Sequence, residues 1–360
     1  MRVPSCFWPT ALLLSSCILP AAERVELDRK VGRAEADGVS VAVADGLAAV
    51  RAFDGERLEL WAQAPDLRVQ LTLPAGEPRT LNMAVHNCTP GSTLQVADEL
   101  LESVPVDGKV ASCSFMFTLS GSSELALRAP GSGQDGPFVF AVLSDVQSAV
   151  GSVHEIFERM NQDPELQFVV STGDLVDTGV RKELTRFQRE LEPLAIPFFS
   201  TVGNHEMGAP PEVWHQLFGP FNVHFQFRGV GFSLVDSGNG TIDPHVYDRL
   251  DGWLGSQRSA PHMVLTHVPP LDPVGLRGGG FRSRKEAAKL LQKLAAGRVD
   301  ALFLGHIHSY YAFSAAGVPS YISGGGGAIP ETLDGIARHY LRVRVDPSRG
   351  IREVAVVRID

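Results

Sequence analysis

This 360-residue sequence contains fewer basic than acidic residues, and this imbalance limits the kinds of molecule that it can bind. Lys and Arg total 32 against 41 Asp and Glu, which gives a formal net charge of −9. Because contacts to nucleic-acid phosphates need a basic surface, no nucleic acid is expected as an obligate partner. Carboxylates gathered around metal ions would supply part of the negative charge, so the charge does not exclude an anionic substrate.

Long apolar runs are also scarce, and the run at the N-terminus, residues 7–14, is too short to span a bilayer as a helix. It follows the positive charge of Arg2 and precedes a Leu-Ser-Ser-Cys sequence that resembles the lipobox of bacterial lipoproteins. We therefore predict that residues 1–17 are a lipoprotein-type signal peptide. Cleavage before Cys17 would leave this cysteine as the lipid anchor to the membrane.

Ordinary secretion, with cleavage near Ala21 or Ala22, is the alternative interpretation. Both interpretations predict an exported protein of the bacterial cell envelope, lipid-anchored in the first case and periplasmic or secreted in the second. Cysteine is scarce as well, and only Cys88 and Cys113 lie beyond the signal region. Neither has zinc-type spacing, so an oxidising compartment predicts a disulfide between them, with two buried free thiols as the alternative.

The rest of the composition is that of a globular protein, with 44% hydrophobic and 20% charged residues. Its length favours two domains. Residues 18–35 are polar without a clear period and are interpreted as a tether. Apolar residues then alternate with polar ones in short runs separated by turn sequences, which predicts a small β-sandwich over residues 36–130. Residues 131–136 are a linker by composition, and residues 137–360 form the second domain.

In this second domain, strands alternate with helical stripes, which indicates the α/β class. Five apolar runs each end in residues that carry metal-binding oxygen or nitrogen atoms. In an open α/β sheet, ligand sites lie just beyond the carboxyl ends of the strands. Oxygen and imidazole donors together suit divalent metals of borderline or hard character. The candidate donors at these strand ends are Asp145, Gln147, Asp174, Asn204, His267, His306 and His308.

Asp174 is the natural candidate to bridge two ions, because it is central in the order of the motifs and a carboxylate has two oxygens. A pair of ions can clamp the attacking and leaving oxygens of a phosphoryl displacement. Residues at positions i and i+2 of a strand share a face. We therefore expect the turn after Gly305 to splay His306 and His308, one toward each ion.

Joined in this order, the motifs resemble those of the calcineurin-like metallophosphoesterase family. Its pattern is Asp-x-His, Gly-Asp-x-x-Asp, Gly-Asn-His-Asp/Glu, a later His, and Gly-His-x-His, and the resemblance covers about residues 137–360. It implies a metallophosphoesterase β-sandwich flanked by helices (α/β/β/α), which here follows a small all-β sandwich.

The resemblance also implies roles for individual residues. One metal would be held by Asp145, Asp174 and His308. The other would be held by Asp174 together with Asn204, His267 and His306. His205 matches the family's non-ligand histidine, which stabilises the transition state and protonates the leaving group.

Two positions depart from the family pattern. Gln147 stands where the family usually has a histidine ligand; its carbonyl oxygen can coordinate, or its amide can hold a metal-bound water. The weaker donor shifts the preference toward harder metals and leaves the metal identity open among Mn, Fe, Zn and Ni. Asp177 stands where purple acid phosphatases have the tyrosine that ligates ferric iron, so a colourless enzyme is expected.

The predicted activity is hydrolysis of a phosphate mono- or diester by in-line attack of a metal-bridging hydroxide. The substrate would be a phosphorylated small molecule or macromolecule. Arg277, Arg282 or Arg284 could contact the substrate phosphate, although a solvated basic loop is the alternative. A non-catalytic metal-binding protein, or an adhesion protein of the cell envelope that acts through its β domain, is the alternative function.

Overall fold

The computed structural model describes residues 21–359, except residues 75, 77, 107, 276, 277 and 334. The predicted signal over residues 1–17, including Cys17, lies outside the described residues. None of the described helices is both long enough and apolar enough to cross a membrane.

Alternating burial organises the N-terminal part of the chain into two packed sheets. In one strand, Leu67, Val69 and Leu71 are buried while the residues between them are exposed. In hydrogen-bonded order, the first sheet contains β1 (Arg33–Ala36), β2 (Val39–Val43), β5 (Leu67–Thr72), β11 (Ser123–Arg128), β7 (Thr93–Val96) and β8 (Glu99–Glu102). The second contains β3 (Ala48–Phe53), β4 (Arg57–Ala62), β6 (Arg79–His86), β10 (Lys109–Leu119) and β9 (Val104–Val106).

Two further sheets form the second sandwich. In order, one contains β14 (Phe198–Ser200), β13 (Leu166–Ser171), β12 (Phe138–Leu143), β21 (His339–Asp346) and β22 (Gly350–Arg358). The other contains β15 (Val223–Phe227), β16 (Val230–Val235), β17 (His262–Thr266), β18 (Ala301–Leu304), β20 (Val318–Ser323) and β19 (Tyr310–Ala315). Their inner faces meet through buried aromatic rings, such as Phe140 of one sheet edge-on to Phe232 of the other at 5.1 Å.

Helices cover the outer faces of this sandwich. The helices are α1 (Ala21–Asp28), α2 (His154–Asn161), α3 (Arg181–Glu190), α4 (Pro211–Leu217), α5 (Pro244–Ser256) and α6 (Arg284–Ala296), with short 3-10 helices at Ala44–Gly46, Gln147–Ser152 and Glu206–Gly208. Apolar side chains of α2 and α3, including Phe157 and Phe187, pack on the β12–β14 sheet. Those of α5 and α6, including Leu250 and Leu290, pack on the β16–β18 sheet. The α/β/β/α architecture behind an all-β sandwich is thus confirmed.

The interpretation of residues 18–35 as a tether is wrong for its described part. Residues 21–28 form α1, which is docked on the second sandwich. Arg24 is buried and its guanidinium binds Asp236, with Nε–Oδ2 and Nη2–Oδ2 distances of 2.9 and 2.7 Å. Asp28 accepts from the backbone N–H groups of Phe221 and Asn222. These partners are about two hundred residues away, so local composition could not reveal them.

The structure also corrects the predicted disulfide. Cys88 and Cys113 are both free and buried, as in the alternative interpretation. Their thiols both point toward the carbonyl oxygen of Thr89, at 3.6 and 3.4 Å, so each has a weak hydrogen-bond acceptor in the reduced state.

Replacing Arg24 tests whether α1 is an integral part of the fold. Arg24→Ala should lower the free energy of unfolding by about 3–5 kcal/mol, because it leaves the buried Asp236 carboxylate without its counter-charge. Arg29→Ala, which breaks the exposed pair with Glu26, should change it by less than about 1 kcal/mol. Urea unfolding followed by circular dichroism measures both, and equal losses would contradict a docked helix.

Candidate metal centre

The predicted donor residues lie at one edge of the second sandwich. Strands β12, β13 and β14 are parallel neighbours in one sheet, and β17 and β18 are parallel neighbours in the other. Since parallel strands present their carboxyl ends at the same edge, the residues that follow them are brought together.

Asp174 is at the centre of this group of side chains. Its Oδ1 accepts a hydrogen bond of 2.8 Å from the backbone N–H of His205. Its Oδ2 lies 3.0 Å from Nε2 of Gln147 on one side and 3.1 Å from Nε2 of His267 on the other. One carboxylate oxygen therefore faces both sets of candidate ligands.

The first set of donors surrounds His308. Nε2 of His308 lies 3.4 Å from Oδ1 of Asp145 and 3.2 Å from Nε2 of Gln147. Gln147 thus connects His308 with Asp174 through its amide nitrogen. For the Gln147 oxygen to coordinate a metal, the side-chain amide would have to be flipped, so that Oε1 takes the position that Nε2 has here.

The second set contains His267, His306 and Asn204. Ligand atoms of Asp174, His267 and His306 all lie within 4.8 Å of one another. Oδ1 of Asn204 is 3.0 Å from Nε2 of His267. His306 therefore joins the second set while His308 joins the first, which is the splayed arrangement expected from the turn after Gly305.

Backbone strain accompanies this arrangement. Asp145, Gln147, Asp174 and His306 all have left-handed φ angles, of 61°, 47°, 53° and 69°. Non-glycine residues rarely adopt this conformation, and it clusters at functional sites where surrounding contacts impose it. Here both carboxylate oxygens of Asp145 accept from the backbone N–H of His306, which ties the two sheets together at the site.

Glycines let the loops approach closely enough for these contacts. A Cβ added at Gly203 would lie 2.2 Å from Oδ1 of Asp174, and one at Gly305 would lie 2.3 Å from Oγ of Ser144. Any side chain at these positions would push the donor loops apart, so the Gly-Asn-His and Gly-His-x-His motifs need their glycines for steric reasons.

Hydrogen bonds to carbonyl groups orient two of the imidazoles. Nδ1 of His267 lies 3.1 Å from the carbonyl oxygen of Thr172, and Nδ1 of His308 lies 2.6 Å from that of Ile329. A carbonyl oxygen can only accept, so each Nδ1 carries the proton and each Nε2 is directed into the site. This is the usual arrangement of metal-binding histidines.

The donor chemistry fits a cation between these groups. Nε2 of His267 faces two oxygen atoms with lone pairs, so a proton or a metal ion has to lie there. Burial alone would lower the pKa of His267, but the negative charge of Asp174 outweighs burial and raises it to about 9. Likewise, burial favours protonation of Asp174, yet His267 holds the pKa of this carboxyl well below its usual range. A divalent ion can replace that proton.

Comparison with known proteins agrees with this geometry. Residues 138–310 match the family model described as calcineurin-like phosphoesterase. This region of the chain is therefore similar to that family over about half of the sequence. The match supports metal-dependent phosphoester hydrolysis as the class of reaction and a phosphoric ester hydrolase as the class of enzyme.

Two relatives and one solved structure are also similar to this chain. Purple acid phosphatase 22 of Arabidopsis thaliana is 26% identical over 228 residues, which cover 56% of this chain and 51% of that protein. The 3',5'-cyclic adenosine monophosphate phosphodiesterase CpdA of Haemophilus influenzae is 25% identical over 180 residues, or 47% of this chain and 64% of that protein. The alignments thus span between half and two thirds of these relatives. The structure of purple acid phosphatase PPD1 from yellow lupin (Lupinus luteus) has the same fold, with a TM-score of 0.53, 13% identity, and coverage of 79% of this chain and 68% of that one.

Sequence reasoning assigned no role to Glu206, which holds the loop that carries Asp174. The buried Glu206 carboxylate accepts hydrogen bonds from the backbone N–H groups of Gly203, Asp174, Leu175 and Val176, at 2.8, 3.0, 2.8 and 3.3 Å. Burial, reinforced by the charge of Asp174, raises the pKa of Glu206 to about 7. The acidic residue after Gly-Asn-His was visible in the sequence, but these backbone partners were not.

His205 lies beside the candidate ligands without belonging to either set. Its Nδ1 donates to the carbonyl oxygen of Asp177 at 2.7 Å, so its Nε2 is directed toward Oδ2 of Asp174, 3.9 Å away. The side chain is 32% exposed, unlike the buried His267. The side chain of Asp177 is itself exposed.

The arginines predicted to contact substrate are less closely tied to the site. Arg282 and Arg284 are exposed just before and at the start of α6, and Arg277 lies outside the described residues. The glycine-rich loop before them does approach the metal centre, since a Cβ at Gly279 would lie 3.5 Å from Cδ2 of His306. Their role in substrate binding stays a prediction.

Glu206 offers a test of how the donor loop is held. Glu206→Gln should lower the free energy of unfolding by about 1–3 kcal/mol, because an NH2 group replaces one of two oxygens that face backbone N–H groups. The looser Asp174 loop should also bind metal more weakly. Glu158→Gln, an exposed isosteric control, should change neither quantity. Urea unfolding and metal titration calorimetry measure the two effects.

Proposed function

We propose that this chain is a two-metal phosphoesterase that hydrolyses phosphate mono- or diesters. The observation that carries the proposal is the position of Asp174, whose Oδ2 faces Gln147 on one side and His267 on the other. Two neighbouring cations need one ligand that they share. A carboxylate between the two donor sets can be that ligand.

The residues assigned to each ion follow from their contacts. Asp145, Gln147, Asp174 and His308 would hold one, and Asp174, Asn204, His267 and His306 the other. When bound, two divalent ions activate water for attack and neutralise charge on the phosphoryl group. The identity of the ions is left among Mn, Fe, Zn and Ni, with Gln147 favouring the harder ones.

His205 is the proposed general acid. Its Nδ1 proton is committed to the carbonyl of Asp177, which leaves Nε2 as the atom that gives its proton to the departing oxygen. The hydrogen bond fixes the ring so that this atom faces the metal centre, and partial exposure lets the ring regain a proton from solvent. This combination matches what a general acid requires.

The cellular location is proposed from the sequence alone. An N-terminal signal with lipidation at Cys17 would place the enzyme on the outer side of a bacterial membrane, acting on exported or extracellular phosphate esters. Cys17→Ser should abolish incorporation of radiolabelled palmitate and release the protein from the membrane fraction. Equal labelling of the variant would contradict the anchor and leave ordinary secretion.

The role of His205 predicts a dependence on the leaving group. His205→Ala should lower kcat by about 10²–10⁴-fold for an alkyl phosphate, whose alkoxide needs a proton to depart. For 4-nitrophenyl phosphate the loss should be much smaller, because nitrophenolate departs unprotonated. The measurement is steady-state kinetics with both esters and their diester counterparts.

Two further variants make that experiment decisive. His245→Ala, an exposed histidine away from the site, should behave as the wild type with every ester. Asp174→Asn should abolish turnover of all of them and lower the metal content. An equal loss for both leaving groups in His205→Ala would refute the general-acid role. Wild-type protein with full metal content but no hydrolysis of any ester would refute catalysis and favour a metal-binding protein.

Gln147 is expected to tune metal choice. Gln147→His should raise the preference for zinc over manganese, because imidazole is a better ligand than an amide oxygen for borderline ions. The test is to strip the metal, restore manganese, iron, zinc and nickel in turn, and compare affinity and activity with the wild type. An unchanged order of metals would show that Gln147 does not coordinate.

A further inference from the structure

A cavity of about 190 Å³ lies between the N-terminal sandwich and α3, away from the metal centre. Its walls come from both parts of the chain, including Trp61 and Ala111 on one side and Leu191 and Phe198 on the other. None of the candidate metal ligands lines it. Ligand sites occur preferentially at such junctions between domains.

The two walls are joined by hydrogen bonds between two residues of the lining, Asn87 and Phe198. The side chain of Asn87 donates to the carbonyls of Ala62 and Phe198, at 2.7 and 2.8 Å, and accepts from the N–H of Phe198 at 2.6 Å. Asn87 lies in the loop after β6, whereas Phe198 begins β14. The cavity is therefore preformed rather than a gap between loosely apposed surfaces.

The lining is cationic in a protein of net charge −9. Arg51, Lys109 and Arg189 contribute three positive charges against the single carboxylate of Glu192. Among the described residues, no carboxylate forms an ion pair with any of these three cations. Burial, together with Lys109 and Arg51, lowers the pKa of His86 to about 4, so this wall residue is neutral near pH 7.

Arg51 is the most informative of the three. Its guanidinium stacks over the Trp61 ring, 4.0 Å from the centroid, and Nη2 donates to the carbonyl of Leu217. Its Nε is buried without a hydrogen-bond partner in the structure. Burial lowers the pKa of Arg51 to about 10, although Glu59 opposes this. A guanidinium remains charged at neutral pH even so, and a partly buried charge that no carboxylate pairs with directly is stabilised by an anion nearby.

Part of the remaining lining is apolar. Leu191, Leu194, Ile196 and Phe198 line the cavity together with the cationic residues. An engineered apolar cavity of roughly 150 Å³ is large enough to bind benzene, so this one has room for a single ring or a short aliphatic chain.

We propose that this interdomain cavity binds a small amphipathic anion, a carboxylate or sulfonate joined to one aromatic ring or a short chain. The anionic group is met by Lys109, Arg189 and the Arg51 guanidinium, and the apolar body lies against the wall formed by Leu191 and Phe198. The site is separate from the metal centre, and its occupant is bound rather than hydrolysed.

The test uses 4-phenylbutanoate as the probe, titrated calorimetrically into the purified full-length protein. Asp174→Asn protein is titrated in parallel, because a carboxylate could also bind at the metal centre. The proposal expects saturable one-to-one binding to both proteins, whereas the neutral amide 4-phenylbutanamide binds at least about tenfold more weakly. Retained binding by the Asp174→Asn protein separates this site from the phosphoesterase activity.

Charge variants then locate the site. Arg189→Glu and Lys109→Glu should each weaken 4-phenylbutanoate binding by about tenfold or more. Lys182→Glu makes the same charge change on α3 away from the cavity and should leave the affinity unchanged. Ala111→Phe, which fills the cavity, should abolish binding, with its thermal unfolding compared to confirm that it folds.

The proposal would be overturned by no detectable binding to wild type, by equal affinity in the Lys182 and Arg189 variants, or by equal binding of the neutral amide. Binding that disappears with Asp174→Asn alone would place the probe at the metal centre and likewise refute a second site.

Discussion

A single carboxylate oxygen organises the candidate centre. Oδ2 of Asp174 is in contact with Gln147, which follows β12, and with His267, which follows β17 of the opposite sheet. The same carboxylate uses Oδ1 to fix the backbone of His205. Moving Asp174 would therefore disturb both donor sets and the proposed general acid at once.

The sandwich makes this contact possible by bringing two sheet edges together. The Phe140 and Phe232 rings pack between the sheets, and the loops above them meet where Asp145 accepts from the backbone of His306. The Glu206 carboxylate then accepts hydrogen bonds from the backbone of the Asp174 loop. The chemistry thus depends on buried backbone hydrogen bonds that contribute no ligand of their own.

The sequence was sufficient for the parts of this arrangement that follow from local pattern. The strands before Asp174 and His267 can be recognised in the sequence, because a buried strand consists of apolar residues and a metal-binding residue after it is polar. The docking of α1 could not be recognised, since the partner of Arg24 is Asp236, 212 positions away. Glu206 was missed for a related reason: its partners are backbone N–H groups, and these leave no signature in residue type.

The backbone strain and buried charge of the candidate metal centre cost free energy of folding, and this cost supports cation binding. Each left-handed backbone conformation destabilises the fold by about 1–3 kcal/mol. Four donors have this conformation: Asp145, Gln147, Asp174 and His306. The buried carboxylates of Asp145 and Asp174 add the penalty of removing charge from water. Apolar residues in their place would often be neutral or stabilising. Ions that bind the folded state but not the unfolded one would offset these terms by mass action, so the strain and the buried charge agree with the proposed binding of cations.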